Sequence, residues 1–211
     1  YKDGSFYTPS FVTSYLSKQS IDQALVNKFI KAKWDVNSID DIYNSIRRDN
    51  KSKALQILRD FRLVDPAVGS GHFLVSAMNY LIKLRYDFDM VSAELSRSIS
   101  INVVNDELVI TYYDQTPFQY ERYNSKSAQI QKELFNIKLD IIEHNLFGVD
   151  INQNSVNITR LRLWIELLKN SYYENNKLHT MPNLEMNVKA GNSVVFKYDL
   201  DANLGDVVKS T

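Results

Sequence analysis

The stretch Asp65-Pro66-Ala67-Val68-Gly69-Ser70-Gly71-His72-Phe73 decides the fold. It contains the end of a short apolar run, residues 61–65, that predicts a strand, and it leads into residues 71–85, whose apolar spacing predicts a helix. A strand that ends in a glycine turn before a helix is typical of open α/β sheets, which bind ligands at the carboxyl ends of their strands. We therefore expect a ligand at this turn.

Further elements extend the pattern in both directions along the chain. Residues 146–150 and 184–190 predict two more strands, and residues 152–169 predict a long helix between them. This order predicts an α/β fold with a parallel sheet, right-handed crossovers and the first two strands side by side. Residues 9–60 are predicted to be mostly helical, with Thr8 as the cap and Pro9 at the first helical position. Residues 99–113 predict a β-hairpin that turns at Asn105-Asp106, and residues 126–144 predict a helix.

Composition excludes several classes of protein. The 211 residues carry 25 basic and 25 acidic side chains, which argues against a dedicated nucleic-acid-binding module. There is no cysteine, so disulfides and thiolate metal sites are excluded and a cytoplasmic origin fits. The three histidines form no ligand-spaced cluster, and no apolar run is long enough for a membrane span. Because the sequence begins with Tyr1, we expect a piece of a longer protein.

The residues of the glycine turn narrow the class of ligand. A phosphate loop would need a lysine after the second glycine, and a dinucleotide fingerprint would need a third glycine where Leu74 stands. Asp65 would also repel a pyrophosphate. An acid beside free backbone amides suits a zwitterion such as the methionine end of S-adenosylmethionine, with Asp65 facing its ammonium. A plain strand-to-helix turn is the alternative interpretation.

Two further polar residues follow the other predicted strands. Asp150 ends the second strand, where an acid commonly binds a ribose diol, although it could instead cap the next helix. Asn192 follows the third strand, where its amide could read the edge of an adenine ring, although Gly191-Asn192 could be a simple turn. Three such features in consecutive strands favour a ligand over three unrelated turns.

Taken together, these motifs resemble the adenine-specific family of amino-group DNA methyltransferases. The similar segments are Gly4–Pro9, Asp65–Leu74, Asn145–Asn152, Arg160–Trp164 and Gly191–Ser193. The resemblance implies that S-adenosylmethionine is the cofactor and that DNA is the substrate of the intact protein, with other restriction–modification domains or subunits as partners. The cofactor-binding residues that it implies are Phe6, Tyr7, Thr8, Pro9, Asp65, Pro66, Ala67, Gly69, Ser70, Gly71, Phe73, Asp150, Ile151 and Asn192.

The resemblance also implies a fold and a domain division. It predicts an incomplete Rossmann-like parallel sheet of the S-adenosylmethionine-dependent methyltransferases. Residues 1–60 are then a helical N-terminal segment, and residues 61–211 are a partial methyltransferase domain with a β-hairpin and helix insertion at 86–145.

One departure from the family concerns catalysis. The family's signature, Asn/Asp/Ser-Pro-Pro-Tyr/Phe, is absent, because none of the four prolines is adjacent to another. We therefore expect no catalytic residue in this chain and no methylation by the chain alone, whether through truncation or through degeneration. The alternatives are a non-catalytic cofactor-binding or scaffolding module and transfer to cytosine N4, RNA or protein glutamine. A nicotinamide-dependent oxidoreductase is disfavoured by Leu74.

Overall fold

The computed structural model describes residues 8–47, 49–179 and 187–193. The elements in chain order are α1 Ser10–Lys31, α2 Ile39–Ser45, α3 Lys51–Arg59, β1 Leu63–Asp65, α4 His72–Asp87, α5 Ala93–Ser98, β2 Ile99–Val104, β3 Glu107–Tyr112, α6 Ser125–His144, β4 Leu146–Asp150, α7 Gln153–Leu168, β5 Tyr172–Glu174, β6 Lys177–His179 and β7 Val188–Ala190. Across these ranges, no helix is long and apolar enough to cross a lipid bilayer.

The central sheet is parallel, with the strand order β1-β4-β7. Asp65 is in register with Gly148, and Asp150 is in register with Ala190, so the three strands end at the same edge. This arrangement confirms the predicted α/β fold and the adjacency of the first two strands. β1 is two residues shorter than predicted, and the first residues of the predicted third strand lie outside the described ranges.

Helices cover one face of this sheet. Leu146, Gly148 and Val188 point to the covered face and are buried, and α4 and α7 both pack on β4. The alternate residues point the other way, and Val64 is 60% exposed there. A parallel sheet is normally covered by helices on both faces. The structure thus agrees with an incomplete doubly wound sheet.

The N-terminal helices form as predicted, but their first residues differ from the prediction. α1 packs on α4, and its residues Ile21, Leu25 and Phe29 are fully buried. It begins at Ser10 with Pro9 at the N-cap, and no side chain caps it. The assignment of Thr8 as the cap is wrong, because Thr8 lies one position too early for its hydroxyl to satisfy the amides of the first turn.

The segment between α4 and β4 contains the predicted hairpin. Strands β2 and β3 pair antiparallel, and both turn residues, Asn105 and Asp106, have positive φ, as a type I′ turn requires. Sequence reasoning missed α5, which is six residues long and too short to show a period. It also missed the β5–β6 hairpin, whose three-residue strands show no alternation and whose signal is the Asn175-Asn176 turn.

Asn145 joins the helical segment to the sheet. It is 1% exposed, and its Nδ2 donates to the carbonyl oxygens of Leu58 at 2.8 Å and Phe61 at 2.7 Å. These carbonyls end α3 and precede β1, while Asn145 itself precedes β4. One side chain therefore fixes the entry of two neighbouring strands.

We expect Asn145→Ala to lower the free energy of unfolding by about 2–3 kcal/mol, because two buried carbonyls lose their donor. Urea denaturation followed by circular dichroism measures this loss. The matched control is Asn27→Ala, on the exposed side of α1, which should change stability by less than about 0.5 kcal/mol. Equal effects of the two substitutions would show that Asn145 does not hold the strands.

Candidate functional site

The structure brings the three predicted strand ends together. The Val68 amide donates to the Val149 carbonyl at 2.9 Å, so the loop after β1 rests on β4. The Gly191 amide donates to the Asp150 carbonyl at 2.9 Å, and Ser193 Oγ donates to the Pro66 carbonyl at 2.8 Å. Asn192 therefore lies on a loop that is tied to the end of β4 and to the loop after β1.

The two glycines of the turn adopt the left-handed backbone that favours glycine. Gly69 has φ +53°, and Gly71, the N-cap of α4, has φ +80°. A Cβ on Gly69 would meet only the Ala67 carbonyl, at 3.9 Å, whereas a Cβ on Gly71 would lie 2.8 Å from Thr159 Cγ2. Of these two glycines, Gly69 leaves open space for a ligand, and Gly71 allows α7 to pack closely against the loop.

The amides of the loop are divided between the protein and solvent. The Gly69 amide donates to Asp150 Oδ2 at 2.8 Å, the Ala67 amide to Asp65 Oδ1 at 3.1 Å and the Gly71 amide to the Val68 carbonyl at 2.8 Å. Within the described ranges, the amides of Ser70 and Phe73 make no hydrogen bond. The donors that remain for an anion are thus those at the start of α4, where the helix dipole is positive.

Asp65 presents an unused acceptor at the end of β1. Its Oδ2 is buried and has no hydrogen-bond partner among the described residues. Burial raises the pKa of Asp65, the Ala67 amide opposes that shift, and the nearby charge of Asp150 adds to it. Asp65, Pro66 and Phe73 line a cavity of about 270 Å³ that α1 closes on its other side. A cationic group is the ligand chemistry that this carboxyl suits.

We expect Asp65→Asn to raise the free energy of unfolding by about 1 kcal/mol at neutral pH, a value reduced for partial exposure. Because burial raises the folded-state pKa, ionised Asp65 destabilises the fold above that pKa, and the difference vanishes below the unfolded-state pKa. The gain of the substituted chain should therefore grow with rising pH. Urea denaturation between pH 4 and 8 measures it, with exposed Asp35→Asn as the control. A gain that is independent of pH would contradict this account of Asp65.

Asp150 holds the loop from the end of β4. Its Oδ2 accepts from the Gly69 amide at 2.8 Å, and its Oδ1 accepts from the Asn152 amide at 2.8 Å. The N-cap of α7 is Asn152, whose Oδ1 accepts from the Asn154 amide, so the interpretation of Asp150 as the cap is wrong. Each carboxylate oxygen has a second lone pair, so Asp150 can accept further hydrogen bonds.

The remaining predicted residues precede α1, follow β4 or lie outside the described ranges. Phe6 and Tyr7 lie outside the described ranges. Thr8 is half-buried and Pro9 exposed, just before α1, while Ile151 beside Asp150 is 77% exposed. An exposed isoleucine at a strand end offers apolar surface to a ring.

Sequence reasoning missed Thr159 of α7, and it did not predict the contact that Arg160 makes. Thr159 Oγ1 donates to the Gly69 carbonyl at 2.9 Å. Arg160 donates to the Val188 carbonyl of β7 through Nε at 3.1 Å and Nη2 at 2.7 Å. Arg160 stands in a motif that the sequence singled out, but nothing local marks Thr159, whose partner lies 90 residues earlier. Only the packing of α7 on the loop reveals its role.

In the described part of the chain, no group of three or more histidine, cysteine, aspartate or glutamate side chains lies close enough to hold an ion.

Comparison with known proteins gives two matches. A sequence profile of the family described as "MmeI, DNA-methyltransferase domain" matches residues 43–210. A protein of Methanocaldococcus jannaschii named "Putative type II restriction enzyme and methyltransferase RM.MjaORFECS2P" is 32% identical over 208 aligned positions, and the match covers 91% of this chain. The chain spans 14% of the length of that relative. No solved structure matches the chain.

Proposed function

We propose, from the premise that this chain belongs to the MmeI DNA-methyltransferase domain family, that it is the S-adenosylmethionine-binding part of a restriction–modification DNA methyltransferase. The observation that carries the proposal is the edge where β1, β4 and β7 end. An open-sided Gly69, an unpartnered Asp65 oxygen and the Asp150 carboxylate lie together there. These groups fit the charges of an amino acid attached to a nucleoside.

Each part of the cofactor has a proposed partner. Asp65 accepts from the ammonium, and the amides of Ser70 and the first turn of α4 donate to the carboxylate. Asp150 accepts from the ribose hydroxyls, since both of its oxygens retain a lone pair. Ile151 and Asn192 contact the adenine. The other residues that the resemblance implies complete the proposed set: Phe6, Tyr7, Thr8, Pro9, Pro66, Ala67, Gly71 and Phe73.

The bound cofactor supplies an electrophilic methyl group on its sulfonium. The role of this chain is to hold that group in a fixed position, which lowers the entropic part of the barrier to transfer. Gly69 lets the backbone approach the cofactor, and the carboxylate of Asp65 offsets the positive charge of the cofactor's ammonium group. No residue of this chain is assigned to proton transfer.

We propose adenine N6 of DNA as the acceptor, because the order of the motifs matches the adenine-specific members. The adenine base would have to flip out of the DNA double helix to reach the methyl group. The catalytic loop and the target-recognition parts are proposed to come from other segments of the full polypeptide. Two observations support this proposal. The Pro-Pro signature of the catalytic loop is absent from this sequence, and the sheet face that includes exposed Val64 is not covered by helices in the described part of the chain. Residues 1–60 remain a proposed helical segment, and 61–211 a partial domain with its insertion at 86–145.

A methyl-transfer assay tests this function. The full polypeptide is incubated with mixed-sequence DNA and methyl-labelled S-adenosylmethionine, and the DNA is then digested to nucleosides. We expect label in N6-methyladenine, and none above the enzyme-free blank when the 211-residue chain is used alone. Label in N4-methylcytosine would contradict the acceptor, and no label from the full polypeptide would contradict the function. Methylation by this chain alone would show that it holds catalytic residues after all.

A further inference from the structure

The peptide groups on both sides of Gly69 are held by side chains from distant segments. Its amide donates to Asp150 Oδ2 at 2.8 Å, and its carbonyl accepts from Thr159 Oγ1 at 2.9 Å. Gly69 has φ +53°, a conformation that a free loop would exchange for others. Because both polar groups are turned toward the protein, the open side of Gly69 is left facing outward.

Thr159 also occupies the space beneath the second glycine. It is fully buried on α7, and its methyl lies 2.8 Å from the position that a Cβ of Gly71 would take. The hydroxyl and the methyl of one side chain therefore contact two of the three residues of the Gly69-Ser70-Gly71 turn. The amide of Ser70, between them, makes no hydrogen bond to the described residues.

The neighbouring residue of α7 performs a parallel task. Arg160 donates two hydrogen bonds to the Val188 carbonyl of β7, the strand that leads to Asn192. Two consecutive residues of α7 thus hold the loop after β1 and the strand β7.

We propose that Thr159 is a positioning residue for cofactor binding, acting through the Gly69 carbonyl; this rests on the proposed function. By fixing that carbonyl inward, Thr159 keeps the loop in the shape in which the Ser70 amide and the open side of Gly69 face the ligand. A loop that is already ordered loses less conformational entropy when the ligand binds.

The test compares cofactor affinity across substitutions at this position. S-adenosylmethionine is titrated calorimetrically into the unsubstituted 211-residue chain and into its variants Thr159→Val, Thr159→Ala and Thr159→Ser. Valine keeps the shape of threonine but removes the donor, so we expect the Kd to rise about tenfold. The Ser and Ala substitutions differ only in the hydroxyl. Thr159→Ser should stay within about threefold of the original Kd, and Thr159→Ala should bind about tenfold more weakly than Thr159→Ser.

Ser127→Ala is the matched control for a purely structural effect. Ser127 is buried, its Oγ donates to the Gln119 carbonyl at 3.2 Å and accepts from the Glu121 amide at 2.9 Å, and neither partner belongs to the proposed cofactor site. We expect it to lower the Tm as Thr159→Val does while it leaves the Kd within about twofold.

Three outcomes would overturn a proposal. Equal Kd values for the Ser and Ala substitutions would show that the hydroxyl does not position the loop, even if Thr159→Val fails to fold. An equal loss of affinity in Ser127→Ala would assign the effect to general destabilisation. Absence of binding by the unsubstituted chain would overturn the proposed function, and it would be recognised before any substitution is compared.

Discussion

Gly71→Val is expected to lower the free energy of unfolding by about 4 kcal/mol, because two costs combine. The new Cβ would lie 2.8 Å from Thr159 Cγ2 in the buried contact between the loop and α7. A β-branched residue would also have to adopt φ +80°, which side chains other than glycine rarely do. Urea denaturation followed by far-UV circular dichroism measures the loss.

Gly69→Val is expected to weaken cofactor binding much more than it destabilises the fold. The backbone penalty at φ +53° remains, but the nearest atom to a new Cβ is 3.9 Å away, so we expect a loss of only about 1–2 kcal/mol. The side chain would instead fill the space of the ligand, and the Kd for S-adenosylmethionine should rise at least about 100-fold.

Gly191→Ala is the stability control for both glycine substitutions. Its Cβ would meet only Val149 Cγ1, at 3.8 Å, so the fold should tolerate it. Equal destabilisation by the two valine substitutions would contradict the separate roles that the structure assigns to the two glycines.

Asp150→Ala is expected to raise the Kd for S-adenosylmethionine at least about 100-fold, since several hydrogen bonds are lost together. The amides of Gly69 and Asn152 lose their acceptor, so the loop is released as well as the proposed ribose partner. Asp150→Asn should be nearly as harmful, because an amide has one oxygen and would turn its NH₂ toward one of the two donors.

Calorimetric titration checks these affinities, with exposed Asp35→Asn as the control for a lost carboxylate charge. A folded Asp150→Ala chain with unchanged affinity would remove Asp150 from the binding site.

The sequence was sufficient for the features that depend on local order along the chain. Apolar periods located the three strands and the helices between them. Because parallel strands end at one edge, the positions of Asp65, Asp150 and Asn192 followed from that order. The glycine turn between β1 and α4 was also visible in the sequence, because Gly-x-Gly before a helix is a local pattern, and both glycines have positive φ.

Contacts between distant segments could not be predicted in this way. Thr159 reaches a carbonyl 90 residues earlier, and nothing in its surroundings marks it. The different surroundings of Gly69 and Gly71 depend on where α7 packs, so sequence reasoning assigned both glycines the same role in cofactor binding. The bracing of Gly69 by Asp150 was missed for the same reason. The prediction of Thr8 as the helix cap was wrong because α1 begins one residue later than expected.

Calorimetric titration of the 211-residue chain with S-adenosylmethionine tests the central claim most directly. We predict saturable binding at one site, lost in Gly69→Val and absent when a nicotinamide dinucleotide replaces S-adenosylmethionine. A chain that folds yet releases no binding heat with S-adenosylmethionine at several temperatures, or that binds the nicotinamide dinucleotide equally well, would contradict the account.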